Sequence, residues 1–366
     1  MKLLLCGGGT AGHITPAIAI AEELKATSPE SEVLFIGRES GKENQLIKNA
    51  GFKYQTIKVQ GIKRAITLEN IKTILNAIKS IGDAKEIIEK FNPDIILGTG
   101  GYVCWPVMIA GKRLGIKTAI HESNIVPGLT TKLLSKKCDM VFINKEETKK
   151  LLKAKGEILT VGNPLRKSFL NRDRSRARKT LSIGENDFLI ISFGGSIGSK
   201  KMNETIIDVI KKFSSKEKKI KHIHALGNRY KTPESIDKNK LGRCEIISFI
   251  DDMPTLMRAS DLVICRCGAM TLSEICEVGV TPILIPSPNV VNDHQLANGR
   301  YLEECAGAIL IEEKNLSTSA LIEAIKTVKN DKFGRKNRAK ALKSQSTPNS
   351  AKLIIKQLFL LKKSDK

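Results

Sequence analysis

Two glycine-rich segments, far apart in the chain, each follow an apolar run that is typical of a β-strand. The first, GGGTAGH at 7–13, follows the apolar residues 3–5, and the second, GGSIGS at 194–199, follows 188–193. A strand, a tight turn and a helix start present unpaired N–H groups and a positive dipole end, which together suit a diphosphate. Close packing of strand against helix is the alternative reason for such glycines. Two turns of this kind predict two similar α/β halves that hold a ligand in the cleft between them.

The remaining chain alternates strand-like apolar runs with segments of helical periodicity. This alternation predicts parallel sheets with crossover helices, and near-continuous apolar runs indicate strands buried on both faces. The 366 residues are enough for two domains, and we place the hinge at 161–165. The tail, 350–363, predicts one amphipathic basic helix.

The chain is strongly basic, with 61 lysine and arginine residues against 38 aspartate and glutamate and a formal charge of +23. This excess predicts attraction to nucleic acid, an anionic membrane surface or a phosphorylated substrate, unless it reflects a general lysine bias of the source. With 4% aromatic residues, a nucleic-acid surface has little support. The eight cysteines contain no C-x-x-C pair, so we expect buried, reduced thiols and no zinc site. We expect no membrane-spanning segment.

Polar side chains follow several predicted strands, where ligands bind in an open parallel sheet. His13 is a candidate general base or a helix-capping residue. His121 and Glu122 form part of a site or an internally satisfied polar pair. Glu274 follows a small-residue helix start that can seat a phosphate, which would leave its carboxylate near an attached ribose; a solvent-facing position is the alternative. Asn124, Ser196 and Gln295 follow other predicted strands.

Motifs that the sequence lacks argue against several classes of nucleotide-binding site. The chain has no G-x-x-x-x-G-K-[ST] loop and no aspartate pair at i and i+2, so we predict neither a P-loop nor a metal-bridging site. A nicotinamide dehydrogenase is disfavoured because no G-x-G-x-x-G is followed, about 20 positions later, by an acidic residue at the end of a predicted strand. A diphosphate leaving group would then be neutralised by helix dipoles, N–H groups and basic side chains such as Arg166.

Several short motifs in order across the whole chain resemble the MurG family of glycosyltransferases, which join N-acetylglucosamine (GlcNAc) to lipid I in peptidoglycan synthesis. They are GGGTAGHITPAIAIA (7–21), GTGGYV (98–103), HESN (121–124), GNPLR (162–166), GGSIGS (194–199), FIDDMP (249–254), CRCGAMTLSEI (265–275) and NDHQLAN (292–298). The resemblance implies an α/β GT-B fold, in which two Rossmann-like domains have parallel sheets that face a central cleft. It also implies UDP-GlcNAc as donor, inversion at the anomeric carbon, and no cofactor or metal.

The resemblance assigns 1–162, with a C-terminal helix at about 347–366 that returns to it, as an acceptor and membrane-facing domain. Residues 163–346 become the donor domain. The activity implied is transfer of GlcNAc to the C4 hydroxyl of the muramyl sugar of lipid I, which gives lipid II. The alternative is another GT-B UDP-sugar transferase with a lipid-linked or small-molecule acceptor.

Site residues follow from the matching motifs. By resemblance, Ile250 reads the uracil edge through its backbone, Glu274 holds the ribose, and Asn124 and Gln295 contact the donor sugar. Residues predicted at the diphosphate are Thr10, Ala11, Gly12, Arg166, Ser196, and the helix start Ala269, Met270, Thr271, Leu272 and Ser273. Acceptor-side candidates are Gly9, His13, Tyr102 and His121. His13 is our first choice as general base; the alternative is that it only binds the acceptor diphosphate.

A lipid-linked acceptor predicts a peripheral protein on the cytoplasmic face of the cell membrane. The stretch 63–85 carries apolar residues at helical spacing between basic ones, which predicts contact with anionic lipid; an ordinary core-facing stripe is the alternative. Its apolar residues are Ile71, Ile74, Leu75, Ile78 and Ile81, and its basic ones Lys63, Arg64, Lys72, Lys79 and Lys85. We expect other cell-wall synthesis proteins as further partners and no nucleic acid.

Overall fold

The computed structural model describes residues 1–39, 44–59, 68–170 and 173–364, with side chains at all of these except 68–78 and 238. The chain divides into two compact units. Unit 1 is Met1–Arg166 together with Thr347–Lys366, and unit 2 is Lys167–Ser346. The roles of acceptor domain and donor domain remain predictions.

Each unit is built on one sheet in which all neighbouring strands are parallel. The strands of unit 1 are β1 (Lys2–Cys6), β2 (Glu32–Arg38), β3 (Lys53–Ile57), β4 (Ile95–Gly98), β5 (Lys117–Glu122), β6 (Met140–Ile143) and β7 (Glu157–Thr160), in the order β3-β2-β1-β4-β5-β6-β7. Those of unit 2 are β8 (Phe188–Phe193), β9 (Ile220–Ala225), β10 (Cys244–Ile247), β11 (Leu262–Cys265), β12 (Thr281–Leu284) and β13 (Ile309–Leu310), in the order β10-β9-β8-β11-β12-β13. The predicted α/β class with two Rossmann-like parallel sheets is confirmed.

Most of the helices connect strands of one sheet as crossovers, whereas others lie between β7 and β8 or follow β13. The helices before β8 are α1 (Ala11–Thr27), α2 (Asn44–Asn49), α3 (Leu68–Phe91), α4 (Cys104–Arg113), α5 (Leu129–Leu134), α6 (Lys167–Leu170) and α7 (Arg174–Thr180). The others are α8 (Lys200–Lys212), α9 (Met253–Ala259), α10 (Ala269–Val278), α11 (His294–Ala306), α12 (Thr318–Asn330), α13 (Lys332–Ser344) and α14 (Ser350–Lys363).

Both glycine turns lie where the strand order of their sheet reverses. The first turn follows β1, whose neighbour β4 is followed by the loop 99–102, and the second follows β8, whose neighbour β11 is followed by 266–268. Ligands of open α/β sheets bind at the carboxyl ends of strands at such switch points. The fold therefore has one position in each unit where a ligand of an open α/β sheet would bind.

The C-terminal helix belongs to unit 1, as predicted. Ile354, Ile355 and Leu358 of α14 are buried in one apolar cluster with Ile14 and Ile18 of α1. Burial of such side chains stabilises by about 1.5–3 kcal/mol each. The tail thus closes the core of the first unit.

The predicted membrane stretch falls mainly outside the described residues. Lys63 and Arg64 lie outside them, as do the side chains of Ile71, Lys72, Ile74, Leu75 and Ile78. Where side chains are described, Lys79 and Lys85 are exposed, but Ile81 is 6% exposed and packs in the core. The prediction was wrong for Ile81, because its position on α3 faces the sheet. Among the described residues, no helix is long and apolar enough to cross a membrane.

The eight cysteines are unpaired, and seven of them are buried. Burial raises the pKa of the Cys138 thiol to about 12 and that of Cys244 to about 11. These thiols are therefore protonated at neutral pH and act as small apolar packing residues.

Candidate active site

His13 lies in the first turn of α1 with its imidazole ring held by the turn itself. Its Nδ1 is 2.8 Å from the carbonyl oxygen of Gly8. A carbonyl can only accept, so Nδ1 carries the proton and the lone pair of the neutral ring lies on Nε2. The contact leaves a half-buried histidine with a basic nitrogen in a defined orientation.

The loop after β4 closes around this histidine and requires glycine to do so. The N–H of Gly8 donates to Gly100 (3.3 Å), and the Thr99 hydroxyl donates to the carbonyl of His13 (2.7 Å). Gly101 has φ +85°, and a Cβ there would stand 2.1 Å from the Gly8 carbonyl oxygen. The same strand-end geometry therefore positions the turn, the loop and the imidazole together.

The start of α1 has no side-chain cap. Thr10 occupies the N-cap position, but its Oγ1 lies 3.4 Å from the Nδ1 of His13 rather than on the first-turn N–H groups. Thr10 is exposed, and Ala11 and Gly12 are half-buried. First-turn N–H groups that no side chain satisfies suit an anion, which supports the diphosphate role predicted for these three residues.

Tyr102 stands beside the first turn. A Cβ on Gly9 would lie 3.5 Å from the Tyr102 ring, and the Tyr102 hydroxyl accepts from Arg38 Nη1 at 3.2 Å. Tyr102 and Arg38 are both half-buried. The predicted acceptor-side residues Gly9, His13 and Tyr102 are thus adjacent, and Arg38 adds a positive charge that sequence reasoning missed.

Glu122, at the end of β5, organises the loop that carries Asn124. Its Oε1 accepts from the backbone N–H (3.0 Å) and the side-chain amide (3.1 Å) of Asn124, and its Oε2 accepts from the N–H of Gly128 (3.0 Å). The carboxylate is 5% exposed and satisfied within its own loop. Asn124 is therefore oriented by Glu122, while its role toward the donor sugar remains a prediction.

His121 does not fit an acceptor-side role. It is fully buried, and its Nε2–H donates to the carbonyl of Gly162 at 2.9 Å. The same carbonyl accepts from the Ser350 hydroxyl at 2.9 Å, so the Gly162 carbonyl is shared between His121 of β5 and the start of α14. Burial lowers the pKa of His121. We correct the expectation: this is a neutral structural histidine, because β5 is buried on both faces and the ring contacts the carbonyl of Gly162.

Arg166 carries an unsatisfied donor. Its Nε is buried and has no hydrogen-bond partner among the described residues. A buried donor left unpaired costs about 1–3 kcal/mol. An anion beside this arginine would satisfy it, which supports the predicted diphosphate contact.

The second glycine turn is exposed at its tip and packed at its base. Gly195 has φ +89° with open space where a Cβ would stand, and Ser196 is exposed. At the base, a Cβ on Gly198 would stand 1.9 Å from the carbonyl oxygen of Leu226, so the turn lies directly on the loop after β9. Ser196 therefore projects from a fixed support.

Arg266, between β11 and α10, was missed by sequence reasoning. It is 9% exposed and donates to the carbonyls of Ile285 (3.2 Å) and Pro286 (3.1 Å), to the hydroxyl of Ser199 (2.5 Å) and to the carboxylate of Glu313. A lone arginine in an apolar strand-to-turn segment was the available signal. Its partners lie 19 to 67 residues away in sequence, so no local pattern reveals them.

The start of α10 fits a backbone role better than a side-chain role. Gly268 is the N-cap and no side chain caps the helix. Ala269, Met270 and Leu272 are buried, and the Leu272 N–H donates to the carbonyl of Gly268 at 3.0 Å, so any phosphate contact here would be made by backbone N–H groups earlier in the turn and not by these side chains. Thr271, Ser273 and Glu274 are half-buried. Glu274 lies in the second turn of this helix, and its contact with the ribose remains a prediction.

Two further residues predicted to contact the sugar-nucleotide donor are fixed by burial or by a local hydrogen bond. Ile250 is 6% exposed, so only its backbone can meet a ligand, in keeping with the role expected for it. Gln295 accepts from the N–H of Ser287 at 2.9 Å. Asp252 accepts from the N–H of Thr255 and caps α9.

Unit 2 also buries two histidines that sequence reasoning did not consider. Ser192 Oγ is 2.9 Å from His222 Nε2 and 2.9 Å from His224 Nδ1, and Ser214 Oγ is 3.1 Å from His222 Nδ1. Burial lowers the pKa of His222 to about 3 and that of His224 to about 4. Both rings are therefore neutral in the folded protein at neutral pH.

Family models match both halves of the chain. The glycosyltransferase family 28 N-terminal domain matches residues 3–143, and the glycosyltransferase family 28 C-terminal domain matches residues 189–358. The first match covers the first glycine turn and His13, and the second covers the second glycine turn, Arg266 and Glu274.

Relatives and a solved structure agree with these matches. A UDP-N-acetylglucosamine--N-acetylmuramyl-(pentapeptide) pyrophosphoryl-undecaprenol N-acetylglucosamine transferase of Acetivibrio thermocellus is 39% identical, over 97% of this chain and 96% of the relative. The enzyme of the same name from Alkaliphilus metalliredigens is 34% identical over the full length of both. The crystal structure of Acinetobacter baumannii MurG superposes with a TM-score of 0.74 at 24% identity, over 98% of each chain, which confirms the fold. The chain therefore belongs to glycosyltransferase family 28, and the predicted membership of its MurG family is confirmed.

Proposed function

We propose that this chain transfers GlcNAc from UDP-GlcNAc to the C4 hydroxyl of the muramyl sugar of lipid I, with inversion, to form lipid II. The observation that carries the mechanism is the hydrogen bond from His13 Nδ1 to the Gly8 carbonyl. It leaves Nε2 as the basic nitrogen of a half-buried ring, beside an uncapped helix start that suits a diphosphate.

In the reaction, the acceptor hydroxyl oxygen forms a bond to the anomeric carbon of the donor. The bond from that carbon to the UDP oxygen breaks on the opposite face, and UDP leaves with the bonding electron pair. His13 Nε2 takes the proton of the attacking hydroxyl. Since Nδ1–H stays on the Gly8 carbonyl, which also stabilises the imidazolium, the ring needs no rotation to do so.

Donor binding falls to unit 2 and to Arg166. The N–H groups at the start of α10 meet a phosphate, Glu274 accepts from the ribose hydroxyls, and the backbone at Ile250 reads the uracil edge. Arg166, with its unsatisfied Nε, neutralises charge that develops on the leaving diphosphate. Asn124 and Gln295 contact the donor sugar.

The second possibility for His13 is that it only binds the acceptor diphosphate. A histidine that binds an anion works as a cation, so its loss would raise the acceptor KM and leave kcat almost unchanged. A general base acts through the neutral ring, so its loss lowers kcat. Kinetics with a varied acceptor separate the two roles.

The function is tested with purified protein, UDP-GlcNAc and a short-chain lipid I analogue. We expect equimolar UDP release and a product heavier by one N-acetylhexosamine, with a β-linkage by NMR. UDP-glucose and UDP-N-acetylgalactosamine serve as donor controls, and lipid-free muramyl peptide serves as acceptor control. Turnover with another donor or acceptor but none with this pair would support the alternative of another GT-B transferase instead.

We also propose that unit 1 meets an anionic membrane surface on the cytoplasmic side. On and beside α5, Leu129 is 62% and Leu133 43% exposed, and Lys136 and Lys137 are exposed next to them. Exposed leucines inserted among lipid head groups, with lysines over anionic lipid at about 1 kcal/mol each, would hold the protein at its substrate.

Vesicle sedimentation tests this surface. Binding should rise with the fraction of anionic lipid, fall with salt, and weaken when Lys136 and Lys137 are changed to glutamate. The same double change at Lys211 and Lys212 on α8 of unit 2 alters net charge equally and should have a smaller effect. Equal binding to neutral and anionic vesicles would contradict the proposal.

A further inference from the structure

We propose that Arg266 is a positioning residue for the donor site: its guanidinium fixes the second glycine turn relative to the loop that leads to Gln295. This inference rests on the proposed function, because it assigns Arg266 a purpose in UDP-sugar binding. Arg266 is not one of the residues that the family resemblance places against the ligand.

The contacts of Arg266 join three loops at the carboxyl edge of the sheet of unit 2. One nitrogen, Nη1, donates to the carbonyls of Ile285 and Pro286 at 3.2 and 3.1 Å, directly after β12. The other, Nη2, donates to Ser199 Oγ at 2.5 Å and to Glu313, which lies after β13. The group is 9% exposed, so its position is determined by protein contacts rather than by solvent.

The contact with Ser199 links Arg266 to the second glycine turn. Ser199 is the N-cap of α8, where a serine side chain ordinarily accepts from the first-turn N–H groups. Here it makes no such bond and its oxygen accepts from Arg266 instead. The arginine therefore holds the end of the 194–199 turn while the first-turn N–H groups of α8 are left without their usual side-chain partner.

The Pro286 contact reaches a second predicted ligand position. The next residue, Ser287, donates its N–H to the side chain of Gln295 at 2.9 Å. A single guanidinium thus links the Ser196 turn, predicted at the diphosphate, to the segment that orients Gln295, predicted at the sugar. Only a planar fork with several fixed donors can reach these carbonyls and both side chains together, so lysine is no substitute.

Titration of UDP into the full-length protein tests the proposal without any acceptor. Arg266→Lys should weaken UDP affinity by about tenfold or more and raise the donor KM in proportion, with the acceptor KM unchanged. Ser199→Ala removes only the arm to the turn and should weaken both by about threefold to tenfold. Ser199→Thr keeps the hydroxyl and should stay within about twofold of the unchanged protein.

Arg178→Lys is the matched control. Arg178 also forks between backbone carbonyls and a carboxylate in unit 2, donating to Ala259, Gly184 and Asp261. The Arg178→Lys variant should have a lower Tm, as the Arg266→Lys variant should, but its UDP affinity should stay within about twofold of that of the unchanged protein. Equal UDP affinity in Arg266→Lys, Ser199→Ala and the unchanged protein would overturn the positioning role, as would an equal loss in Arg178→Lys. Absence of UDP binding to the unchanged protein would overturn the proposed donor site itself, and the inference with it.

Discussion

The two glycine turns share a sequence pattern and a place in their sheets, yet they are built differently. The first is enclosed: the loop 99–102 lies against it, and a Cβ on Gly101 would stand 2.1 Å from the Gly8 carbonyl oxygen. The second is open at its tip, where Gly195 has nothing within 4 Å of a Cβ position. An enclosed turn can fix the orientation of a side chain, here that of His13, whereas an open tip leaves room for a ligand to bind. This difference agrees with the proposed roles, in which the first turn carries the general base and the second turn contacts the diphosphate.

The largest expected effect is the loss of His13. His13→Ala should lower kcat by about 10²–10⁴-fold, the usual contribution of a general base. Ser196→Ala, the counterpart on the exposed turn, should raise the donor KM by about tenfold or less, because it removes one hydrogen bond to a charged group. Steady-state kinetics with each substrate varied provide the comparison. Equal losses of kcat in the two variants would remove the distinction between the turns.

The loop that encloses the first turn should also be less tolerant of a methyl group than the open tip of the second turn. Gly101→Ala should lower the free energy of unfolding by about 3 kcal/mol or more, since backbone strain adds to overlap with Gly8. Gly195→Ala has nearly the same φ but open space, and should cost about 1–2 kcal/mol. Trp105, the single tryptophan, reports the unfolding of unit 1 by fluorescence, and hydrogen exchange in β8 reports unit 2. Similar costs at both sites would show that the first turn is not enclosed in solution.

The two units should differ in acid. Burial lowers the pKa of His222 to about 3 and of His224 to about 4, whereas an unfolded histidine titrates near 6.5. Below about pH 6.5 the unfolded chain takes up protons that the folded chain does not. The free energy of unfolding of unit 2 therefore decreases as the pH falls from about 6.5 towards 4, and these histidines do not change it above about pH 6.5. The loss for unit 2 should reach about 2 kcal/mol per histidine at pH 5.

Hydrogen exchange in β8 and β9 between pH 7.5 and 5 measures this slope. His224→Gln, which replaces the ring by an amide without a titrating proton, should make the slope shallower. A free energy of opening in β8 and β9 that does not change over this interval would contradict the buried, neutral pair.

A smaller effect is expected for the ribose contact. Glu274→Ala should raise the donor KM about tenfold to a hundredfold, because a charged hydrogen bond contributes about 1.5–3 kcal/mol. The acceptor KM should change little. Glu23→Ala, on α1 of the other unit, is the control carboxylate. An unchanged donor KM in a folded Glu274→Ala protein would remove Glu274 from the donor site.

The smallest expected effect is that of chelation. If N–H groups and Arg166 stabilise the leaving diphosphate, exhaustive treatment with EDTA should leave the initial rate within experimental error. Loss of activity that magnesium or manganese restores would show that a metal carries this charge, and would direct attention to Asp251 and Asp252.

Local sequence patterns predicted the strands, the two turns and the helix α14, because each depends on neighbouring residues. The turn also predicted His13 as a candidate, although the Gly8 contact that sets its proton could not be foreseen. Arg266 and Arg38 were missed and His121 was misjudged, since their roles depend on partners that only the fold brings near. The His121 contact to Gly162, for example, spans 41 residues. A histidine near a strand end gives no sign of which distant segment will cover its ring.

The central claim, that the first turn performs chemistry while unit 2 binds the nucleotide, is tested most directly by calorimetric titration of UDP into His13→Ala and Glu274→Ala. We expect His13→Ala to bind UDP within about threefold of the unchanged protein while its turnover collapses. Glu274→Ala should lose about tenfold or more in UDP affinity. Loss of UDP binding in His13→Ala, with binding retained in Glu274→Ala, would contradict the account.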